Sequence, residues 1–318
     1  MRVAFQTGAD VTEESSREHE LNNPNYTVNP LLQGLFRRGI DRFFHYSTHS
    51  LENGQGISSA GYWVTLSNLD RTGRFHMDYS QAVENLEGFD IIFVRGDDVD
   101  QTTEERVQLI DSLENVILIN GGKATLVTRD KGEIPHRFVG DEDLIPRTIN
   151  VSSSQDLIKA WEEIPGPYIV LKGRYGFGGK EVERFERTRE GHNQAKTYLS
   201  KVGMVVAQEF LPEISNGDIR VVLLEEEIIA AYRRMPNGSW TTNRMGGGRG
   251  VAVKLDQTLQ ERVIRCAQKF PEVIFQGLDI TYERGRFIET NAFPASLGGL
   301  NSIYGIRTEE TILDRLIK

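Results

Sequence analysis

The sequence predicts an α/β chain built on a parallel sheet followed by antiparallel sheets, and three stretches carry that expectation. Phe89-Asp90-Ile91-Ile92-Phe93-Val94, a helical run from Thr102 to Leu113, and Val116-Ile117-Leu118-Ile119-Asn120 alternate strand, helix and strand at the spacing of a parallel sheet. Gly217 to Leu224 and Ile228 to Arg234 pair naturally as antiparallel strands. Gly277-Leu278-Asp279-Ile280 and Arg286-Phe287-Ile288-Glu289-Thr290-Asn291 flank Glu283-Arg284-Gly285, which reads as a three-residue hairpin loop with Gly285 in the left-handed position of a bulged turn.

At 318 residues and 38% apolar content the chain can bury a sizeable core, and its length suits two domains or three small ones. A net charge of −9, from 37 basic and 46 acidic residues, argues against nucleic acid or an anionic membrane as the main partner. An anionic ligand must then meet a local cluster of arginine and lysine. The single Cys266 excludes an internal disulfide and a cysteine zinc site, and its helical surroundings make it core filler rather than a nucleophile. The start, Met1-Arg2-Val3-Ala4-Phe5-Gln6, turns polar too soon for a signal peptide, and no apolar run reaches a membrane span, so a soluble cytoplasmic protein is expected.

Taken in order, Val3-Ala4-Phe5 is a short buried strand, and a polar stretch from Glu13 to Asn25 precedes a helix from Val28 with Leu31, Leu32, Leu35 and Phe36 on one side, stopped by Gly39. Asp41 to Tyr46 and Tyr62 to Leu66 are further strands, with Asn53-Gly54-Gln55-Gly56 as loop. Arg95 stands at the carboxyl end of the 89–94 strand, where ligands of such sheets bind, or pairs at the surface with Asp97 or Asp98. Gly121-Gly122 marks a boundary, after which Leu126 to Lys131 leads into a polar helix-like piece. A capping box at Ser152-Ser153-Ser154-Gln155 opens a helix through Trp161.

Tyr168 to Lys172 and Glu181 to Phe185 are strands joined by Gly173-Arg174-Tyr175-Gly176-Phe177-Gly178-Gly179-Lys180. Such glycines let backbone amides approach an anion closely. Neither a Walker loop nor a dinucleotide fingerprint fits, which leaves a flexible hairpin lid over phosphates, with Lys172 on its entry strand, or a mobile turn without a ligand. A helix from Asn193 to Lys201 ends at Gly203, and Met204 to Leu211 crosses into the last region. Arg220 and Arg234 offer planar forks for carboxylate or phosphate. Gly246-Gly247-Gly248-Arg249-Gly250 is a long glycine loop, Leu259, Val263, Ile264 and Ala267 line a packing helix, Pro294 to Gly299 is loop, and a helix bearing Ile312, Leu313, Leu316 and Ile317 closes the chain. His45 and His49 read as surface residues.

The hairpin carries the chemistry. If Tyr282 and Arg286 close its turn, Asp279 lies across from Glu289, and strand alternation puts Asn291 on the same face. Two carboxylates and an amide carbonyl are hard ligands suited to Mg²⁺ shared with nucleotide phosphates. The alternative is a hairpin with one solvated polar face. A one-residue slip would place Asp279 opposite in sense to Glu289, so everything depends on register.

The succession Ile169 to Lys172 with its glycine loop, Ala207-Gln208-Glu209-Phe210-Leu211-Pro212, Gly217-Asp218-Ile219-Arg220, Arg234-Met235-Pro236, Asn243 with Gly247 to Gly250, and Gly277 to Ile280 with Glu289-Thr290-Asn291 resembles the bacterial glutathione synthetases of the ATP-grasp family. The resemblance spans roughly residues 126 to 300, with a looser N-terminal match. It implies an ATP-grasp fold with an N-terminal parallel-sheet domain over 1–122, a central lid domain over 123–203 and a catalytic domain over 204–318. It also implies an ATP- and Mg²⁺-dependent carboxylate-amine ligase, with Mn²⁺ as a substitute ion, acting through an acyl phosphate and making glutathione from γ-glutamylcysteine and glycine.

By that resemblance Lys131 and Lys172 hold phosphates beneath Gly176, Gly178 and Gly179, and Gln208, Glu209, Phe210 and Leu211 line the adenine. Asp218 contacts ribose or orders the loop, and Asp279, Glu289 and Asn291 hold the metal. Arg220 and Arg234 face the acyl phosphate or substrate carboxylate, and with Lys172 they form the catalytic set. Arg95, Asn243, Gly248 and Arg249 complete the substrate site. The departures lie at the acceptor end: Thr241-Thr242 precede Asn243, Ala292-Phe293-Pro294 follows Asn291, and Gly96-Asp97-Asp98 follows Arg95. Another peptide or amino-acid ligase, or an ATP-binding regulator without ligase activity, therefore stays open. A small-molecule or short-peptide substrate and a homo-oligomer, dimer or tetramer, are the implied partners. Asp279→Asn is expected to leave the fold intact and remove most turnover.

Overall fold

All five positions of β1 (Val3–Thr7) are buried, which only a central strand achieves. In the computed structural model, which describes residues 1–8, 11–54, 56–95, 104–175, 181–236, 249–294 and 297–317, β1 pairs in parallel with β2 (Arg42–Gly54) on one side and β5 (Ile91–Val94) on the other. β6 (Ile117–Ile119) continues the parallel run beyond β5, as the strand, helix, strand spacing predicts. On the other side β3 (Gly56–Ser67) and β4 (His76–Asn85) add as an antiparallel meander, giving the order β4-β3-β2-β1-β5-β6. The strands expected at 41–46 and 62–66 are thus the end of one long hairpin farthest from its turn, and Asn53, Gly54 and Gly56, expected as loop, pair within it. β4 is absent from the sequence reading because it is an edge strand with almost no buried apolar residue; Val83 within it is 71% exposed.

The polar stretch after β1 is largely helix, α1 (Glu14–Asn22), and it buries Arg17, Glu20 and Leu21. α2 (Val28–Arg37) packs its leucine side on the sheet as expected, and α3 (Glu104–Leu109) leads to β6.

α4 (Gly122–Arg129) starts at the glycine pair because a Cβ on Gly122 would stand 2.0 Å from the Val107 carbonyl oxygen. Residues 126–129, expected to lead into a helix, are instead its last turn, and Lys131 opens a short 3-10 turn that runs into α5. After α5 (Ile134–Arg137), a second sheet forms from β7 (Thr148–Val151), β8 (Tyr168–Gly173), β9 (Val182–Glu186) and β10 (Val205–Glu209), all antiparallel in the order β7-β10-β8-β9. α6 (Ser154–Glu163) and α7 (Arg189–Val202) pack against it through Leu157, Ala160, Ala195 and Leu199. The cap of α6 sits one residue later than the expected box: Ser153 accepts from the Asp156 amide, and Asp156 returns to Ser152 and Ser153.

The third sheet holds β11 (Asp218–Leu224), β12 (Glu227–Met235), β13 (Arg249–Ala252), β14 (Phe275–Thr281) and β15 (Phe287–Ala292), antiparallel in the order β13-β12-β11-β14-β15. Its strands alternate between two cores. Ile219, Val221, Leu223, Leu278 and Ile280 pack on α8 (Gln257–Ala267) and on Phe138 after α5. Cys266 of α8 lies in that core and burial pushes its thiol up to about 12, which suits filler and not a nucleophile. On the opposite face Val222, Leu224, Tyr232 and Phe275 join Phe5, Leu31, Leu35 and Phe93 in a core shared with the six-stranded sheet. α9 (Leu297–Tyr304) and α10 (Thr308–Leu316) complete it. The segment read as loop through Gly299 is already helix from Leu297; Gly298 is there because a Cβ would meet the Pro24 carbonyl oxygen at 1.8 Å. Among the described residues no helix is long and apolar enough to cross a membrane.

Candidate active site

One face of the five-stranded sheet changes character along its length. Directly paired residues share a face, so the register aligns Tyr232, Arg220, Asp279 and Glu289 in one row across β12, β11, β14 and β15. Arg234, Asp218 and Thr281 make the next row on the same side. Val222, Gly277 and Asn291 lie behind, toward the apolar core. A single face is therefore greasy where it docks the first sheet and charged beyond it.

The expected pairing of Asp279 with Glu289 is present, reached by a different route. The turn closes through Thr281 and Arg286, whose main chains bond at 2.8 Å, leaving four residues in the loop where three were expected. A bulge then pairs Ile280 with Phe287 and skips Ile288, restoring Asp279 opposite Glu289. Gly285 takes φ +62°, the left-handed conformation its place demanded. Gly277 is needed for space: a Cβ there would meet Pro294 Cβ at 2.5 Å and Arg220 Cδ at 3.4 Å.

Asp279 is wholly buried and gripped twice. Arg220 takes it with Nε and Nη2, the latter at 2.8 Å, and Arg234 Nη2 approaches the same Oδ2 at 2.7 Å. Arg234 also holds Asp218, with Nε at 2.8 Å from Oδ1 and Nη2 on Oδ2. Burial alone would raise the Asp279 carboxyl, but the two guanidinium charges outweigh it and hold the group below the usual carboxylate range. Burial depresses the arginines while their carboxylate partners raise them, and the net direction for both is upward. Arg220 Nη2 also lies 3.9 Å from Glu289 Oε1.

Lys172 on the four-stranded sheet and Lys131 in the turn after α4 supply the cations. Desolvation pulls the Lys172 ammonium on β8 down to about 8, Glu289 opposing it and Lys131 adding to it. Lys131 is lowered too, first by desolvation, with Glu289 again opposing. Two lysines within electrostatic reach of each other and of Glu289 make a half-buried place where an anion of high charge is stabilised. Lys131 is held by a rigid turn. Asp130 accepts the Gly132 amide at 2.8 Å and a bidentate fork from Arg174 at 2.6 and 2.7 Å, and the Lys131 amide donates to the Arg174 carbonyl at 3.0 Å. Sequence reasoning passed over Arg174 and Asp130.

At the end of β10, Gln208 is buried and donates to Thr148 Oγ1 at 3.0 Å. Glu209 takes the fork of Arg286 at 2.7 and 3.1 Å and accepts the Arg147 amide at 3.1 Å, tying β10 to the β14–β15 turn. The Phe210 ring meets Tyr168 edge-on, with the Arg184 guanidinium over both, and Leu211 is buried. Asp218, expected near ribose or ordering the loop, faces Arg234 and is 1% exposed.

Arg95 Nη1 donates to Glu20 on α1 at 3.1 Å, and Asp97 and Asp98, its other expected partners, lie outside the described residues. Burial would raise the Glu20 carboxyl, but His45, Arg95 and Thr7 bring it down to about 2. His45 is 1% exposed, against the expectation of a surface residue, because α1 covers the sheet face it projects from; His49 is exposed as expected. Gly176, Gly178, Gly179, Asn243 and Gly248 lie outside the described residues, as does the Arg249 side chain, whose backbone pairs with Met235.

Among the described residues no three His, Cys, Asp or Glu side chains gather as a metal cluster. The available donors are the two carboxylates and Asn291, whose buried Nδ2 has no hydrogen-bond partner. Oxygen donors of this kind on one face, beside lysines suited to phosphates, fit a hard divalent cation.

Three sheets in this order, with Lys172 on one and an arginine-carboxylate row on another, define an ATP-grasp ligase, an ATP-dependent enzyme that joins a carboxylate to an amine. Residues 136–304, just over half of the chain, match the family described as prokaryotic glutathione synthetase, ATP-grasp domain, and the chain belongs to that family. A glutathione synthetase of Vibrio cholerae is 26% identical over 290 residues, 88% of each chain. A probable alpha-L-glutamate ligase of Rhodopirellula baltica is 31% identical over 125 residues, 39% of this chain and 31% of that relative's own length. The crystal structure of a RimK domain protein ATP-grasp from Sphaerobacter thermophilus superposes with a TM-score of 0.65 over the whole of both chains at 14% identity, a likeness of fold.

Proposed function

We propose that this chain uses ATP and Mg²⁺ to join the carboxylate of a short peptide or amino acid to an amine through an acyl phosphate, with glutathione synthesis from γ-glutamylcysteine and glycine as the leading reaction. The carrying observation is the row of Arg220, Asp279 and Glu289 across β11, β14 and β15, with Arg234 on both Asp218 and Asp279. In this reading the lysines and the 176–179 glycines hold the triphosphate, the 208–211 segment lines the base, and the substrate carboxylate lies by Arg220 and Arg234, with Arg95, Asn243, Gly248 and Arg249 toward the acceptor. Asp279, Glu289 and Asn291 would hold the cation, which supplies neutralisation of charge on the transferring phosphoryl group when bound. A carboxylate oxygen attacks the γ-phosphorus as ADP leaves, then the amine attacks the acyl carbon, phosphate departs and the amine loses a proton. Residues 1–122, 123–203 and 204–318 would be the three working domains.

The match to a probable alpha-L-glutamate ligase favours a second reading, in which glutamate itself is the amine added to a peptide or amino-acid carboxylate. ADP formation separates the readings. Turnover with γ-glutamylcysteine and glycine supports the first, turnover only with glutamate and a peptide acceptor supports the second, and nucleotide binding without ADP release under either condition overturns both.

A further inference from the structure

The arginine grip on Asp279 poses a conflict. Of the roughly four acceptor positions on a carboxylate, Asp279 gives three to guanidinium N–H groups: Arg220 Nε, Arg220 Nη2 at 2.8 Å and Arg234 Nη2 at 2.7 Å. A divalent cation at those oxygens would stand against two positive forks in a buried place. The surroundings contain the means to resolve this. Arg234 has a second carboxylate, Asp218, 1% exposed and bound at both oxygens, and Arg220 has Glu289 within 3.9 Å.

We propose that Asp279 is an exchangeable counter-ion: without a cation it neutralises Arg220 and Arg234, and a cation takes its oxygens and releases both guanidiniums to an anionic oxygen of the substrate or its acyl phosphate. This rests on the metal-site reading above and adds its regulation. Charge counting gives the direction. Asp218, Asp279, Arg220 and Arg234 cancel among themselves, and buried charge cannot be left unbalanced at low cost. A bound cation leaves this group positive, and an anion restores neutrality. Cation and anion therefore bind with positive coupling, and each strengthens the other by the same factor. Arg234 stays anchored by Asp218 through the exchange, so it turns between partners without leaving the site. Asp218 is then a positioning residue.

The test uses the full chain, Mn²⁺ as the cation and inorganic phosphate as the anion, with free Mn²⁺ read by electron paramagnetic resonance. Phosphate should tighten Mn²⁺ binding about ten-fold. In Arg220→Gln, Mn²⁺ alone should bind more tightly than in the parent, and phosphate should no longer help. Arg220→Lys keeps the charge and shortens the reach; it serves if the glutamine variant does not fold, and should weaken the coupling. Unchanged Mn²⁺ affinity with intact coupling in both variants overturns the exchange alone. Failure of the parent to bind Mn²⁺, or binding that is indifferent to Glu289→Gln, overturns the metal-site reading and the exchange with it.

Discussion

Asn120 acts as a strand partner for Phe275: its Nδ2 donates to the Phe275 carbonyl at 2.6 Å and its Oδ1 accepts the Phe275 amide at 2.9 Å. Asn120 is wholly buried at φ +62°, a conformation that asparagine tolerates better than most residues. Both bonds span the junction between the first sheet and the third. Asn120→Ala removes both bonds and keeps the strained backbone, although the Phe275 carbonyl still accepts the Phe293 amide at 3.0 Å, so it should lower stability by about 2–4 kcal/mol. Urea unfolding checks this, and a loss under 1 kcal/mol would show that the clasp matters little.

The Arg174 fork on Asp130 positions Lys131. Arg174→Ala should raise KM for ATP about ten-fold while lowering stability by only ~1 kcal/mol, because the pair is partly solvated. Equal effects on KM and on Tm would point to general unfolding instead.

Lys172 gives a pH signature. Its pKa of about 8 lies below the usual lysine value of 10.5, so the folded chain binds its proton less tightly than the unfolded chain. The unfolded state thus holds more protons between pH 8 and 10.5, and through this group stability rises with pH across that window. Bound phosphates should restore the proton. Calorimetry of ATP binding near pH 8.5 in two buffers of different ionisation enthalpy should register proton uptake, and Lys172→Met should abolish it.

Gly277→Ala forces a methyl against Pro294 and the stem of Arg220. Overpacking of that kind costs about 1–3 kcal/mol. Activity should fall further than stability predicts, since the same shift displaces a guanidinium from Asp279; a variant with normal Tm and normal kcat would contradict this.

Asp279→Asn, expected from sequence to leave the fold intact, takes a different prediction from the structure. An amide cannot neutralise Arg220 and Arg234, so the variant should lose about 3–5 kcal/mol as well as turnover. A denaturant midpoint equal to the parent's would show that Asp218 and Glu289 suffice as counter-ions.

Much of the site was legible because it lies on strands. Alternation and a glycine at the right offset place Asp279 opposite Glu289 whether the loop has three residues or four, provided that a bulge restores the count. The parts missed have weaker signals. β4 alternates only Met77 and Tyr79 before Gln81 interrupts the pattern, α9 hides behind a glycine pair, and the grip of Arg220 on Asp279 joins residues 59 positions apart that only sheet order brings together. His45 looked exposed because nothing local announces that α1 covers it.

The core shared by the first and third sheets has a mechanical consequence. With Phe93, Phe275 and Phe293 interlocked and Asn120 bonded across the seam, those two sheets form one stationary jaw that carries the arginine row. Under the proposed function, nucleotide would lie between that body and the sheet bearing Lys172, which Glu209 fastens to it through Arg286.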